Sequence, residues 1–98
     1  MVKYRLSNEA VKDLESIWAY TYEKWSVDQA DRYYNLIINE IEYIVTNPFS
    51  GKPMDHIKEG FRASTVKSHL VFYKISKDQP VLIVRILHQR MNVKGRMK

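Results

Sequence analysis

The chain has 98 residues, of which 45% are hydrophobic and none is cysteine. This length allows one domain with a small core, and the lack of cysteine excludes disulfide bonds and thiolate metal sites. No apolar run approaches the roughly 18 residues needed to span a bilayer, and the N-terminus lacks the apolar core of a signal peptide, so we expect a cytoplasmic protein.

The net charge of +5 is unevenly divided along the chain. Residues 1–47 carry five basic and eight acidic side chains, a net charge of −3, whereas residues 48–98 carry eleven basic and three acidic ones, a net charge of +8. The basic half predicts an acidic partner, either nucleic acid or an acidic protein. The alternative is a charged surface that only keeps the protein soluble.

The first elements predicted are a short strand and a helix. Residues 3–6 alternate as a strand does, and apolar residues then recur at helical spacing from about residue 8 to residue 24. Ser7 is a suitable N-cap for this helix, because its side chain can accept a hydrogen bond from the first turn.

A second helix follows almost at once. Ser26 and Gln29 form a capping box at its start, and it ends at Asn47, before a proline, where asparagine tolerates a left-handed cap. Because only one or two residues join the two helices, they should form an antiparallel hairpin.

The second half predicts a loop and three strands. Residues 49–60 contain two glycines and a proline, which is typical of a loop. Strands are predicted at residues 61–66, 70–75 and 81–88, and Lys67-Ser68-His69 joins the first two. Consecutive strands with short turns form an antiparallel meander. The chain is therefore predicted to be an α+β domain: an N-terminal strand, an antiparallel helical hairpin packed on one sheet face, then a three-stranded antiparallel meander (β-α-α-β-β-β).

The last predicted strand, at residues 81–88, is strongly apolar. Six of its eight residues are aliphatic, which predicts an interior strand covered on both faces. Strict alternation places Arg85 on one face and His88 on the other. A buried charge requires a partner, so the Arg85 side should open on a cleft, a binding surface or an internal carboxylate.

The C-terminal end differs in composition from the rest. Residues 92–98 hold three basic residues and no acidic one. We expect a single domain at residues 1–91 and a basic, flexible tail at residues 92–98.

Seven short motifs, in order, resemble the toxins of the ParE branch of the RelE/ParE superfamily. They are Tyr4-Arg5-Leu6-Ser7-x-Glu9-Ala10-x-x-Asp13-Leu14-x-x-Ile17, Tyr20-Thr21 with Trp25, Gln29-Ala30-x-x-Tyr33, Asn47-Pro48-x-x-Gly51, Gly60-x-Arg62, His69-x-x-Phe72-Tyr73 and Val84-Arg85-Ile86-Leu87-His88-x-Arg90-Met91. No single motif is specific, but seven in order, each on a suitable predicted element, are. Asn92 departs from the aspartate expected there in many relatives.

The resemblance implies a RelE-like fold and the role of toxin in a bacterial type II toxin–antitoxin system, serving plasmid or chromosomal maintenance. It implies DNA gyrase as the target, poisoned by binding. It also implies a ParD-like antitoxin, which neutralises the toxin by covering it with a helix and an extended segment in a hetero-oligomer. Direct contact with nucleic acid would be secondary, and no cofactor or metal is expected.

A second hypothesis is a RelE-like ribosome-dependent mRNA endoribonuclease. Arg62 and Arg85 would then stabilise the phosphorane, and His88 or Glu59 would transfer protons. The tail after Arg90 holds no Tyr, His, Asp or Glu that could join them. A third hypothesis is a non-toxic protein that only forms a complex with its antitoxin and regulates transcription.

The binding hypothesis predicts two surfaces. The target-binding residues are Arg62, Arg85, His88, Arg90, Met91, Lys94 and Arg96. The antitoxin-binding residues are aromatic and lie on the helices: Trp18, Tyr20, Tyr22, Trp25, Tyr33 and Tyr43. Purely structural roles are the alternative, with the arginines paired to carboxylates or backbone carbonyls, and with Trp18 and Trp25 packed in the core.

Overall fold

A computed structural model describes residues 4–76 and 80–90 of the chain. Its two helices and five strands follow in the order β1 Tyr4–Leu6, α1 Asn8–Lys24, α2 Val27–Thr46, β2 Lys52–Pro53, β3 Phe61–Val66, β4 His69–Lys74 and β5 Val81–His88. The predicted α+β class, the helical hairpin and the meander are confirmed.

Each helix begins at the cap that the sequence predicts. Ser7 Oγ accepts a hydrogen bond from the backbone N–H of Ala10 at 3.0 Å, and Ser26 Oγ accepts one from Gln29 at 3.1 Å. Within the described residues, neither helix is both long enough and apolar enough to cross a bilayer.

The end of α2 differs from the prediction. Asn47 has a φ of −131° and a ψ of 65°, so its backbone is not left-handed. Its backbone N–H and its side-chain amide both donate to the carbonyl of Tyr43, at 2.9 and 3.2 Å. The carbonyl of Tyr43 is thereby satisfied without a left-handed residue.

The five strands form one sheet in the order β1-β5-β4-β3-β2. Strands β3, β4 and β5 pair antiparallel, while β1 pairs in parallel with β5, which is therefore an interior strand as predicted. The predicted loop at residues 49–60 contributes a strand of its own, because Lys52 and Pro53 pair with β3 at the sheet edge. Proline is tolerated at an edge, where its missing N–H costs no ladder bond.

The main core lies between the helices and one sheet face. Helix α1 packs on β5 and α2 on β3. The fully buried side chains there include Ile37, Ile41, Ile44, Val71, Tyr73 and Ile83. A smaller cluster on the opposite face joins Phe61, Ala63, Phe72 and Leu87 to Met54 and Ile57 of the segment before β3. Strand β5 is thus buried on both faces, as its composition predicts.

The predicted faces of β5 are wrong beyond its midpoint. Phe72 of β4 pairs with Arg85, whereas the next residue, Tyr73, pairs with Ile83, so the register shifts by one residue between them. Such a bulge reverses the alternation. Ile83 and Ile86 consequently share the helix-side core, and Arg85 and His88 both face the helices.

The turn between β3 and β4 is shorter than predicted. Val66 pairs with His69, so only Lys67 and Ser68 form the turn, with Lys67 at a positive φ of 54°. His69 is therefore a strand residue, placed between Val66 on one side and His88 on the other.

Candidate functional site

Arg85 is paired with an internal carboxylate. Its Nε and Nη2 donate to the two oxygens of Asp13 on α1, at 2.9 and 3.0 Å, and the backbone N–H of Ile86 donates to the same carboxylate at 2.9 Å. The hydrogen bonds to Asp13 raise the pKa of Arg85. Of the three environments predicted for Arg85, the structure shows the carboxylate.

Arg62 is tied to the segment that follows α2. Its Nη1 donates to the carbonyls of Phe49 at 3.2 Å and Gly51 at 2.6 Å, and its guanidinium lies 5.1 Å from the centre of the Phe49 ring. These contacts fix the chain between α2 and β2 in position. Glu59, the predicted alternative proton donor, is exposed in the segment before β3.

The structure does not bring Arg62 and His88 together. Arg62 pairs with Tyr73 on β4, whereas His88 pairs with His69, four residues away on that strand. At about 3.3 Å per residue the two positions are roughly 13 Å apart along the sheet. The three residues that the ribonuclease hypothesis requires therefore do not surround one point.

His88 instead meets a second histidine and a tyrosine. The rings of His69 and His88 are 5.2 Å apart, edge to face, and the Tyr33 hydroxyl lies 2.7 Å from Nδ1 of His69. Burial, and then the proximity of His88, lower the pKa of His69, while Asp13 opposes both effects. Burial raises the pKa of Tyr33. The cluster joins α2, β4 and β5.

This cluster forms the floor of an open groove between the helices and the end of the sheet. Two adjoining hollows of about 520 Å³ each share Tyr20, Thr21, His69 and His88. We call them together the histidine groove, and its wall and rim include Trp25, Arg32, Lys67 and Arg90. The volume of each hollow is within the range of ligand-binding clefts, about 300–1,000 Å³.

The predicted antitoxin residues lie on more than one surface. Trp18 stacks on Tyr22 at 5.4 Å and donates from its indole N–H to Asp31 of α2 at 2.9 Å, outside the histidine groove. Tyr20, Trp25 and Tyr33 line the histidine groove instead. The exposed Tyr43 lines neither hollow of the groove among the described residues.

The core alternative is wrong for Trp25. This residue follows the last turn of α1 as its C-cap, and 74% of its surface is exposed. Trp18 is partly buried, so the core alternative holds for it only in part.

The remaining predicted target residues are Arg90, the last residue that the structure describes, and residues that follow it in the sequence. Arg90 is exposed, and its backbone N–H donates to Nδ1 of His88 at 3.1 Å. Met91, Lys94 and Arg96, and the predicted tail at residues 92–98, lie outside the described residues. No group of three or more potential metal ligands occurs within residues 4–76 and 80–90.

Comparison with known proteins identifies the family. A family model described as the ParE toxin of the type II toxin-antitoxin system parDE matches residues 4–93. Toxin ParE1 of Mycobacterium tuberculosis is 40% identical over 91 residues, which cover 93% of each chain. Toxin ParE1 of Caulobacter vibrioides is 38% identical over 97 residues, which cover 99% of each chain. The chain belongs to the ParE toxin family.

A solved structure supports the same fold. The chain from the chromosomal ParDE toxin–antitoxin system of P. aeruginosa matches with a TM-score of 0.77 and 18% sequence identity, covering 90% of this chain and 96% of that one. At this identity the match shows the fold, which is RelE-like.

Three of the ParE motifs meet in one structural contact. The buried Tyr73 hydroxyl donates to the carbonyl of Pro48 at 2.7 Å and accepts from the N–H of Gly51 at 2.9 Å. Arg62 binds the carbonyl of the same glycine. The motifs Asn47-Pro48-x-x-Gly51, Gly60-x-Arg62 and His69-x-x-Phe72-Tyr73 therefore fasten the end of α2 to the sheet.

Sequence reasoning missed two residues of this ParE-family site. Asp13 belongs to the first motif, yet no pattern in the neighbouring sequence indicates that it binds Arg85, which is 72 residues away. The sequence predicts a turn at His69, whereas the structure places it in β4. Its place in the motif His69-x-x-Phe72-Tyr73 was the available signal, since strand alternation would put His69 and Tyr73 on the same face.

Proposed function

We propose that this ParE-family toxin inhibits DNA gyrase by binding, and that a ParD-like antitoxin neutralises it. The observation that favours binding over turnover is how the two arginines are used. Arg85 is held by Asp13, and Arg62 by two backbone carbonyls. Cleaving RNA requires cations and proton-transfer groups around one phosphate, and these guanidinium groups are engaged elsewhere.

The proposed target surface begins at the end of β5. His88 and Arg90 are the described part of it, and Met91, Lys94 and Arg96 continue it in sequence. Arg85 and Arg62 contribute by holding the sheet and the preceding segment in shape. A basic surface of this kind favours fast association with an acidic partner or a protein–DNA complex.

The proposed antitoxin surface is the part of the helical hairpin that lies outside the histidine groove. Trp18 and Tyr22 form a stacked pair there, and 48% of the Tyr22 surface is exposed, as is 52% of Tyr43. Aromatic side chains with an accessible polar edge are favoured at protein interfaces. The related P. aeruginosa chain belongs to a ParDE system, which supports a ParD-like partner.

A gyrase assay tests the proposed target. Purified toxin added to DNA gyrase should block supercoiling and accumulate the cleaved DNA complex. Deleting residues 92–98 should abolish this effect and leave antitoxin binding intact, because the tail belongs to the target surface only. Full poisoning by the deleted form would contradict the assignment of the tail.

The ribonuclease hypothesis is tested in parallel. Toxin added to a translating ribosome extract should leave the message intact. If the toxin cleaves the translated message and the His88→Ala variant does not, the protein is a ribonuclease and not an inhibitor that acts by binding. Harmless expression without antitoxin, together with no effect on gyrase, would indicate the non-toxic, regulatory protein.

The antitoxin surface is tested by calorimetry with the cognate antitoxin. Tyr22→Ala should weaken binding about tenfold or more, as expected for a buried aromatic contact. Val27→Ala is the matched control, because 47% of its surface is exposed on the same hairpin and it lies outside the predicted set. If both variants bind the antitoxin as tightly as the parent does, Tyr22 is not part of the interface.

A further inference from the structure

We propose that the histidine groove binds a single-stranded segment of nucleic acid, with phosphates along its cationic rim and an unpaired base on the exposed ring of Tyr20 or Trp25. This inference concerns a ligand of the toxin itself and does not depend on gyrase being the target.

The charge of the groove indicates an anionic ligand. Helices α1 and α2 carry eight acidic residues, yet none of the described residues lining either hollow is acidic. Arg32 and Lys67 line one hollow and Arg90 the other, while the ammonium group of Lys24 lies 5.8 Å from the centre of the Tyr20 ring. Cations from α2, from the turn between β3 and β4 and from the end of β5 therefore border the groove.

The aromatic rings of the groove are accessible. Trp25 is 74% exposed and Tyr20 63% exposed, and both line the hollow that holds Arg32 and Lys67. Proteins that bind single strands combine a cationic groove with aromatic rings on which unpaired bases stack. A base pair within a duplex has no free face to offer, which favours a single strand over a double one.

The floor of the groove can bind phosphate oxygens. The imidazoles of His69 and His88 stand edge to face, and His69 is already held by the Tyr33 hydroxyl. The carboxylates of an acidic peptide could contact the cations of the rim and the imidazole N–H groups, but they would leave the exposed ring faces of Tyr20 and Trp25 without a base to stack on them. A strand with phosphates and bases uses all three.

The experiment measures the binding of fluorescently labelled strands of twelve nucleotides to the full-length toxin by fluorescence anisotropy. Oligo-dT, oligo-U and a duplex of the same length are compared, with an unlabelled acidic peptide of equal charge as competitor. Single strands should bind more tightly than the duplex, and the peptide should compete poorly. Preference for dT or for U identifies DNA or RNA as the source, and either preference supports the proposal.

Two pairs of variants locate the binding in the groove. Trp25→Ala should weaken single-strand binding about tenfold, whereas Phe49→Ala, which removes an aromatic ring of similar exposure (71%) outside the groove, should not. Arg32→Ala should reduce the slope of log affinity against log salt by about 0.7, and Lys58→Ala should leave it unchanged. Thermal melting checks that each variant is folded.

Three results would overturn the proposal. The first is equal affinity for the duplex and the single strand. The second is displacement of the single strand by the acidic peptide when both supply the same concentration of negative charge. The third is an unchanged affinity of the folded Trp25→Ala variant for the single strand.

Discussion

At the scale of single residues, Asp13 connects the first helix to the last strand. Its carboxylate receives two bonds from Arg85 and one from the backbone N–H of Ile86. The side chains of both charged partners are mostly buried, with 14% and 17% of their surfaces exposed. Removing the carboxylate would leave a guanidinium and a backbone N–H without this acceptor in a poorly hydrated place.

We therefore expect Asp13→Ala to destabilise the fold by about 2–4 kcal/mol, because it removes the two hydrogen bonds from Arg85 and the acceptor of the Ile86 N–H at a mostly buried site. Urea unfolding followed by circular dichroism measures the change. Glu15→Ala, an exposed carboxylate on the same helix, is the control and should stay within about 0.5 kcal/mol of the parent. A loss below about 1 kcal/mol in Asp13→Ala would show that the pair matters little for stability.

Gly51 is required by close packing. A Cβ at this position would lie 2.3 Å from the Tyr73 hydroxyl oxygen and 2.7 Å from a carbon of its ring. Gly51→Ala should therefore destabilise the protein by about 2–3 kcal/mol through overpacking. In the Tyr73→Phe background the nearest clashing atom is gone, so the same substitution should cost less. A strictly additive double-mutant cycle of thermal stabilities would refute this steric account.

At the scale of elements, the two helix caps differ in the hydrogen bonds that they make beyond their own helix. Ser26 is exposed and caps α2 only, whereas Ser7 caps α1 and also donates from its hydroxyl to the carbonyl of Val84 on β5, at 2.7 Å. Ser26→Ala should cost about 1 kcal/mol, as for an ordinary cap. Ser7→Ala should cost about 2 kcal/mol, since a tertiary hydrogen bond is lost as well. Equal losses in urea unfolding would mean that the bond to Val84 contributes nothing.

The helices and four of the five strands are predictable from the sequence because their signals are local, whereas β2 lies in a segment predicted to be a loop. The serine caps and the apolar periodicity define α1 and α2, and the β-branched run defines β5. The register shift opposite Phe72 and the two-residue turn at Lys67 were not predictable, because they depend on how neighbouring strands pair. Those two features reversed the predicted face of His88 and brought His69 beside it.

The site was less predictable than the fold for a related reason. A sequence shows that Arg85 needs a partner but not that the partner is Asp13, since the pairing exists only after α1 packs on β5. Trp25 fits the apolar stripe of α1 by spacing, yet it sits beyond the last helical turn and points outward. Periodicity describes a helix and not the residue that caps it.

At the scale of the whole molecule, His69 couples stability to pH. Burial and the neighbouring His88 lower its pKa below the ordinary 6.5, with Asp13 opposing. Below pH 6.5, His69 is therefore protonated to a greater extent in the unfolded chain than in the folded protein. The stability contributed by neutral His69 is therefore full above pH 6.5 and is lost as the pH falls through the folded pKa.

Thermal unfolding between pH 7 and pH 5 should accordingly show a stability that decreases on acidification. His69→Gln should reduce this slope, because the titrating group is absent, and the exposed His56→Gln should leave it unchanged. Parallel pH profiles for the parent and His69→Gln would contradict the assigned direction.

The whole molecule combines an acidic, aromatic helical hairpin with a basic end of the sheet. We propose that it inhibits DNA gyrase by staying bound to it and not by catalysing a reaction. The most direct test titrates purified toxin against a fixed amount of DNA gyrase and follows the fraction of supercoiling activity lost. Inhibition by binding predicts saturation near one toxin per toxin-binding site and recovery of activity when the antitoxin is added. Complete loss at far lower ratios that the antitoxin cannot reverse would mean that each toxin molecule acts repeatedly, and would contradict the account.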